Sequence, residues 1–476
     1  MRLRQALLPL LCATLFGCAA ARPAAAPAPL GEVPLAGTEL PAGGQWPASD
    51  WWQRYQDSTL DQLVMTALAD SPTLAAAQAR FDSARESVRI TAATVGAHVE
   101  ANAQTTRQRL SDNGLFPPRF LGFDWYSMTD VGVSASYTFD WWGKQRASVE
   151  AATNEAHAAA ADRVAATLVL ASAVTDTYFG WQADQARLAF VQERIGTLTR
   201  RADIAAARRR AEIDGADEES RVATDLAAAR EQQASLQGSA QLRLVTLAAL
   251  TGRSVAQLPA LAAKPLPVLP ATVPERIHLD LLARRADIAA SRWRVEAALR
   301  RRHVAAAQYY PDVSVRALLG LESIKLNNLL RAGSADPLLG VAIHLPLFDN
   351  GLRAAQLSVA DAEMTGAIAT YNGAIIGAAR EVASSVVAGE QAAAERVQQL
   401  AQLQASTELQ HSADARARQG LTDIRPALSA EYLVLMQRDA MVQLDAAALT
   451  ADVALQSALG GGFQDSPSST GLTYTP

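Results

Sequence analysis

Cysteine is almost missing from this chain: Cys12 and Cys18 are the only two, both at the extreme N-terminus. That excludes a disulfide framework or a thiolate metal site further along. Histidine is sparse as well. His98, His157, His278, His303, His344 and His411 are scattered, with no HExxH and no pair at i, i+4, so neither a metal nor a cofactor is expected. No G-x-S-x-G elbow, P-loop or paired His and acid at motif spacing occurs, which leaves no catalytic residue to name and argues against an enzyme. Charged residues make up only 19% and the net charge is −5, so nucleic acid is not an expected partner. Proline, finally, is absent over long stretches, including the whole of 144–210.

What fills the gaps is alanine, with Leu, Gln, Arg and Glu between. These residues lose little side-chain entropy in a helix. Only Gly180 and Gly196 interrupt 144–210, which therefore reads as one helix of roughly 100 Å. A return helix is expected over about 217–250. The second half repeats the pattern, out along 352–419 and back along 427–459. Apolar residues recur at helical spacing, as at Val397, Leu400 and Leu403, among small residues that permit close helix approach. A solitary chain could not keep hairpins that long stable, so the pattern demands an oligomer.

The mature chain says much the same thing twice. Short helices at 60–69 and 74–93 are matched by 279–285 and 288–307. Each pair precedes two alternating segments around a polar loop, and each set leads into a long helical hairpin. Pro265, Pro267, Pro270 and Pro274 separate the halves with a stretch that cannot continue a helix. The expected organisation is a signal peptide at 1–17, an Ala/Pro-rich tether at 18–50 and a first repeat at 51–252. A linker at 253–278, a second repeat at 279–459 and a C-terminal tail at 460–476 complete it.

The N-terminus carries Arg2 and Arg4 and then an apolar stretch from Leu7 to Phe16, too short to span a bilayer but suited to a secretion signal. Leu15-Phe16-Gly17-Cys18 resembles a bacterial lipobox, which would make Cys18 the acylated first residue. An ordinary signal peptide cut near Ala19 to Ala21 is the alternative.

Period-two alternation marks strands at about 97–110, 125–139, 312–323 and 338–347. Val99, Ala101 and Ala103 oppose Glu100, Asn102 and Gln104; Val131, Val133 and Ala135 oppose Asp130, Gly132 and Ser134. Val315, Ala317 and Leu319 oppose Ser314, Arg316 and Gly320, with Glu322 beyond. Leu339, Val341 and Ile343 oppose Gly340, Ala342 and His344. Trp125, Tyr137 and Phe139 sit at strand ends, as in outer-membrane barrels. Four half-buried strands of a soluble sheet would give a similar pattern. Four strands cannot close a membrane barrel, for which about eight is the minimum, so any barrel must be shared among copies.

This doubled order resembles the TolC family of outer-membrane factors, and more narrowly the NodT-like lipoprotein branch that serves RND-type efflux systems. Trp51-Trp52, the junctions Asp140-Trp141-Trp142-Gly143 and Leu345-Pro346-Leu347-Phe348-Asp349-Asn350-Gly351, and the turn Arg418-Gln419-Gly420-Leu421-Thr422-Asp423 carry the likeness. The resemblance implies a mainly α fold with a membrane β-barrel part: a homotrimer with a twelve-stranded barrel and a periplasmic α-barrel. It implies a passive export channel for small amphipathic compounds such as drugs. The partners would be a periplasmic adaptor, an RND-type inner-membrane pump and outer-membrane lipid. Glu100, Asn102, Gln104, Asp130, Arg316 and Glu322 would line the barrel lumen. Asp214, Gly215, Asp217, Glu218, Gly420, Leu421, Thr422, Asp423 and Ser429 would form the periplasmic tip, where the adaptor docks and the resting channel closes.

The chain departs from the family pattern in places. Ser429 stands where relatives often carry an Asp, and Glu212-Ile213 replaces the expected turn glycine, with Gly215 shifted onward. Arg285-Ala286-Asp287-Ile288 lacks the usual proline. Acids also favour helix N-termini, so Asp214, Asp217, Glu218 and Glu219 read first as a solvated helix start and only second as a gate. Other roles for the same sequence are a type I protein-secretion duct and a periplasm-spanning lipoprotein without a pore. A tether has no use for amphipathic strands with aromatic ends.

Overall fold

The computed structural model describes residues 27–31, 45–114, 116–268 and 277–464. Cys12, Cys18, the signal segment and most of the tether and tail lie outside them. The first half runs α1 (Ser58–Asp70), α2 (Pro72–Thr94), β1 (His98–Arg109), α3 (Pro118–Leu121), β2 (Trp125–Phe139), α4 (Lys144–Arg210) and α5 (Ala216–Leu250). The second runs α6 (Ile277–Arg284), α7 (Ala286–Ala307), β3 (Asp312–Ser323), β4 (Ala335–His344), α8 (Leu352–Arg418) and α9 (Arg425–Ala458). Apart from the one-turn α3, the two halves share an order. The described residues divide into two compact units, one holding 27–28, 82–114, 116–157 and 292–370, the other 29–31, 45–81, 158–268, 277–291 and 371–464.

The first unit contains a single antiparallel sheet of order β1-β2-β3-β4. Both strand-to-helix junctions are built alike. The Asp140 carboxylate accepts hydrogen bonds from the backbone N–H of Gln145 (3.0 Å) and Arg146 (2.8 Å) at the start of α4. Asp349 accepts from the N–H of Gly351 (3.1 Å) and Arg353 (3.0 Å) at the start of α8. Each aspartate satisfies donors that a helix start leaves without partners. Trp142 is fixed by donating its indole N–H to the Pro311 carbonyl (2.9 Å) and stacking on Tyr310.

β4 differs from the expected range, beginning at Ala335 and ending at His344. Pro337, which argues against a strand in sequence, is tolerated because β4 lies at the sheet edge. The strand stops before Pro346, which has no N–H to offer.

The second unit is organised by a core of Trp51, Trp52, Tyr55, Leu60, Leu63, Val64, Leu170, Val174, Tyr178, Phe179, Leu247, Leu449 and Val453. α4 is apolar enough over one stretch to cross a bilayer by length and composition; its Leu170, Val174 and Tyr178 are buried here. Polar contacts pin the edges of this core. The Tyr55 hydroxyl donates to Asp452 (2.7 Å), which also pairs with Arg54 (3.0 Å). Burial, then the Asp452 carboxylate, pushes the Tyr55 hydroxyl up. Asp57 caps α1 and accepts from Tyr178 (2.7 Å) and Lys264 (2.6 Å). Burial works against its charge, but the Lys264 and Tyr178 hydrogen bonds outweigh that and hold its carboxyl below the usual range.

Two segments expected to connect rather than to pack make contacts of their own. The described part of the linker is docked, with Leu258, Leu261 and Leu266 packed on the core. The end of the tether is docked too: the Arg284 guanidinium lies 4.7 Å from the Trp46 ring centroid, and the Leu30 N–H donates to the Asn372 side chain (2.9 Å).

All four hairpin helices end with the same device. At the end of α4 the N–H of Glu212 bonds to Arg209 O and that of Ile213 to Arg208 O. Gly252 and Arg253 do this for α5, Gly420 and Leu421 for α8, and Gly460 and Gly461 for α9. Each is a Schellman cap, closed by a residue with positive φ: 54° at Glu212, 67° at Gly252, 72° at Gly420 and 92° at Gly460. Three of the four are glycine. Glu212 alone carries a Cβ into the left-handed region, which costs about 1 kcal/mol. Glu212→Gly is therefore expected to raise the melting temperature slightly and to slow amide exchange in this turn. Unchanged exchange there would sink the strain argument.

Candidate functional site

Directly opposed residues on neighbouring strands point to the same side of a sheet. The register aligns Gln104 with Asp130 and Asp130 with Glu322. It aligns Asn102 with Gly132, then Gly320, then Asp336, and His98 with Ser136, then Arg316. Glu100 opposes Ser134. Glu100, Asn102, Gln104, Asp130, Arg316 and Glu322 thus occupy one face, and Asn102 donates to Asp130 across it (3.5 Å). Asp336 joins this face although sequence reasoning missed it, because β4 was expected to start beyond Pro337. The face is polar and net acidic, interrupted by Leu318 and Leu338.

The opposite face carries Val99, Ala101, Ala103, Val131, Val133, Ala135, Tyr137, Phe139, Val313, Val315, Leu319, Leu321, Leu339, Val341 and Ile343. Much of it is bare: Leu319 is 71%, Leu339 78% and Ile343 72% exposed. An uncovered apolar sheet face of this size requires a nonpolar surround. Tyr137 packs edge-on against Phe139, which stacks on Trp141, at one end of it.

The second unit brings the two hairpin turns together. Arg208 donates to both Asp214 oxygens (2.6 and 3.1 Å). Arg425 donates to Asp423 (2.6 Å) and, more loosely, to Asp214 (3.5 Å). Asp214 and Asp423, far apart in sequence, thus share one arginine. The Arg208 hydrogen bond holds the Asp214 carboxyl below the usual carboxylate range, and the Arg425 hydrogen bond does the same for Asp423. Gly215 is the residue before α5, and Leu421 and Thr422 are exposed in the second turn. Asp217, Glu218 and Glu219 form the first turn of α5. Glu218 pairs with Arg221 (3.3 Å) and Glu219 with Arg209, whereas Asp217 and Ser429 are exposed and outside the cluster. Glu431, close to Ser429, pairs with Arg200 (2.7 Å) from α4.

Arg208 and Arg425 are the functional candidates that sequence reading missed. Arg208 sits in the last turn of α4, where a basic residue is already accounted for by the helix dipole.

The model of the "Outer membrane efflux protein" family matches residues 63–253 and 279–461, one match per repeat. The chain belongs to this family. The "Multidrug resistance outer membrane protein MdtP" of Escherichia coli (strain K12) is 30% identical over 437 residues, covering 90% of this chain and 89% of that protein. MdtQ of Escherichia coli O157:H7 is 31% identical over 431 residues, covering 88% and 89%. Among solved structures, the outer membrane protein VceC of Vibrio cholerae is 32% identical, with a TM-score of 0.79 over 88% of this chain and all of that one. The efflux protein described here therefore has the TolC-like fold and acts as an outer-membrane efflux channel. Its family is one of channels and not of enzymes.

Proposed function

We propose that three copies of this chain close into a twelve-stranded barrel, continued by a tunnel of the long helices into the periplasm. One observation carries the reading: a four-stranded sheet with one bare apolar face, one polar face and open edges at β1 and β4. Pairing β4 of each copy with β1 of the next leaves no edge, puts the apolar face in lipid and wraps the polar face around water. Glu100, Asn102, Gln104, Asp130, Arg316, Glu322 and Asp336 then line the exit. Transport is passive, with energy supplied by an inner-membrane pump of the RND type through a periplasmic adaptor. Small amphipathic compounds, drugs among them, are the proposed cargo, in keeping with the names of MdtP and MdtQ. The paired turns around Asp214 and Asp423 form the periplasmic tip, where the Arg208 and Arg425 contacts hold the resting state and Leu421 and Thr422 offer a docking surface.

Imaging the detergent-solubilised full-length protein tests this directly. A three-fold tube with a detergent belt at one end is expected, and a monomeric rod would overturn the proposal. We also propose that Cys18 anchors the mature chain through an acyl group. Intact-mass analysis of its N-terminus should then find lipid that Cys18→Ala removes; native protein without acyl mass would refute the anchor.

A further inference from the structure

On the apolar sheet face, the polar residues are all at one end. Above the row of Ala103, Val131 and Leu321 come Thr105 and Thr129, hydrogen-bonded to each other (3.0 Å), with Ser323. The next row pairs Arg107 with Ser127, and the last pairs Arg109 with Trp125. The Arg107 guanidinium carbon lies 5.8 Å from the Trp125 ring centroid. Trp125 is 54% exposed. Arg109 meets Asp112 only at the limit of an ion pair (4.0 Å). At the other end of the same face stand Tyr137, Phe139, Val313 and Ile343, with no basic residue among them.

Height decides what these arginines meet. At about 3.4 Å per residue and a tilt of about 40°, β2 rises roughly 30 Å between Phe139 and Ser127. The lipid-facing apolar band of an outer-membrane barrel is about 25 Å tall. With Phe139 at its lower rim, Arg107 stands just beyond its upper rim, at headgroup level, and Arg109 slightly higher. Lipid headgroups in that layer present phosphates. A guanidinium matches a phosphate bidentately, and an arginine stacked on an indole is already held in position.

We propose that Arg107, Arg109 and Trp125 form a docking site for the phosphate of an outer-leaflet lipid headgroup, one per protomer, fixing the barrel's depth and orientation. The site rests on the barrel reading above. A ring of three would resist vertical displacement better than the aromatic residues alone, because a charge-assisted contact ties the protein to one depth.

The test uses full-length protein and diphosphorylated lipid A as the probe, counted by native mass spectrometry, beside the same glycolipid with its phosphates removed. The expected result is binding that depends on the phosphates in the native protein. It should weaken about tenfold in the Arg107→Gln/Arg109→Gln variant and be largely kept in Arg107→Lys/Arg109→Lys. Native protein that binds both glycolipids equally would overturn the proposal without reference to any variant. So would a glutamine variant that retains the probe undiminished. Failure of the barrel reading would look different, as a chain that forms no trimer and conducts no ions.

Discussion

Gly460→Ala is expected to destabilise the protein by about 3 kcal/mol, from backbone strain together with overpacking. Gly460 closes α9 at φ 92°, where a side chain is strained whatever the space. There is also no space: a Cβ would overlap the Arg284 carbonyl oxygen. That carbonyl ends α6, the short helix that opens the second repeat. The Arg285 side chain donates to the Ala458 carbonyl beside it (2.9 Å) and pairs with Asp287 (2.7 Å) and Glu381 (2.7 Å). The same arrangement exists in the first repeat. Gly252 closes α5, and a Cβ there would stand 2.8 Å from the carbonyl oxygen of Asp70, which ends α1. Gly252→Ala should therefore weaken the fold through the equivalent joint. Thermal denaturation of the purified assembly is the check. A Gly460→Ala protein with the native melting temperature would show that this joint is loose.

Reversing one charge at the hairpin turns should have the largest functional effect. Arg425→Glu removes the only group that contacts both Asp214 and Asp423 in the described cluster and puts a third carboxylate between them. Conductance of the resting channel in planar bilayers is expected to rise several-fold, and cells should become sensitive to bulky antibiotics that the native channel excludes. Arg425→Lys should give an intermediate result, since an ammonium cannot hold Asp423 with a fork. High salt should mimic the substitution in part, because these pairs are exposed and screened. The pH dependence follows from the same contacts. Both carboxylates are held below their ordinary range by arginine, so the paired state is fully favoured above about pH 4 and is lost as pH falls through the lowered values. Resting conductance should therefore stay flat from about pH 8 to about pH 5 and rise only in stronger acid. A quiet Arg425→Glu channel would remove these turns from the gate.

Much of the architecture was legible because its signals are periodic. Alternation at Val131, Val133 and Ala135 against Asp130, Gly132 and Ser134 is enough to assign faces, and six lumen candidates fall together for that reason alone. The strand-to-helix junctions were legible as motifs, and the structure supplies the cause in the Asp140 and Asp349 caps. What was hidden depends on partners remote in sequence. Arg425 gains its meaning from Asp214, and Lys264 from Asp57, and neither pairing leaves a local trace. Asp336 escaped because the sequence does not tell which strand forms an edge, where a proline such as Pro337 can be carried. Gly460 to Gly462 open the expected C-terminal tail, and a run of glycine has the same appearance in sequence whether it is free or tightly enclosed. Here it is enclosed: Leu168 meets Gly461, Ala48 and Ser49 meet Gly462, and Phe463 packs on Ala161, Ala289 and Ala290.

The open ladders at β1 and β4 also bear on inheritance. A closed ring of three holds each subunit through both of its edges, so one faulty edge leaves a joint that cannot pair and the whole ring open. In a cell making native and edge-damaged chains in equal amounts, only about one ring in eight would be free of the defect if subunits mix at random. Damage to β1 or β4 should therefore behave as genetically dominant, whereas a lesion that prevents a chain from folding at all should be recessive.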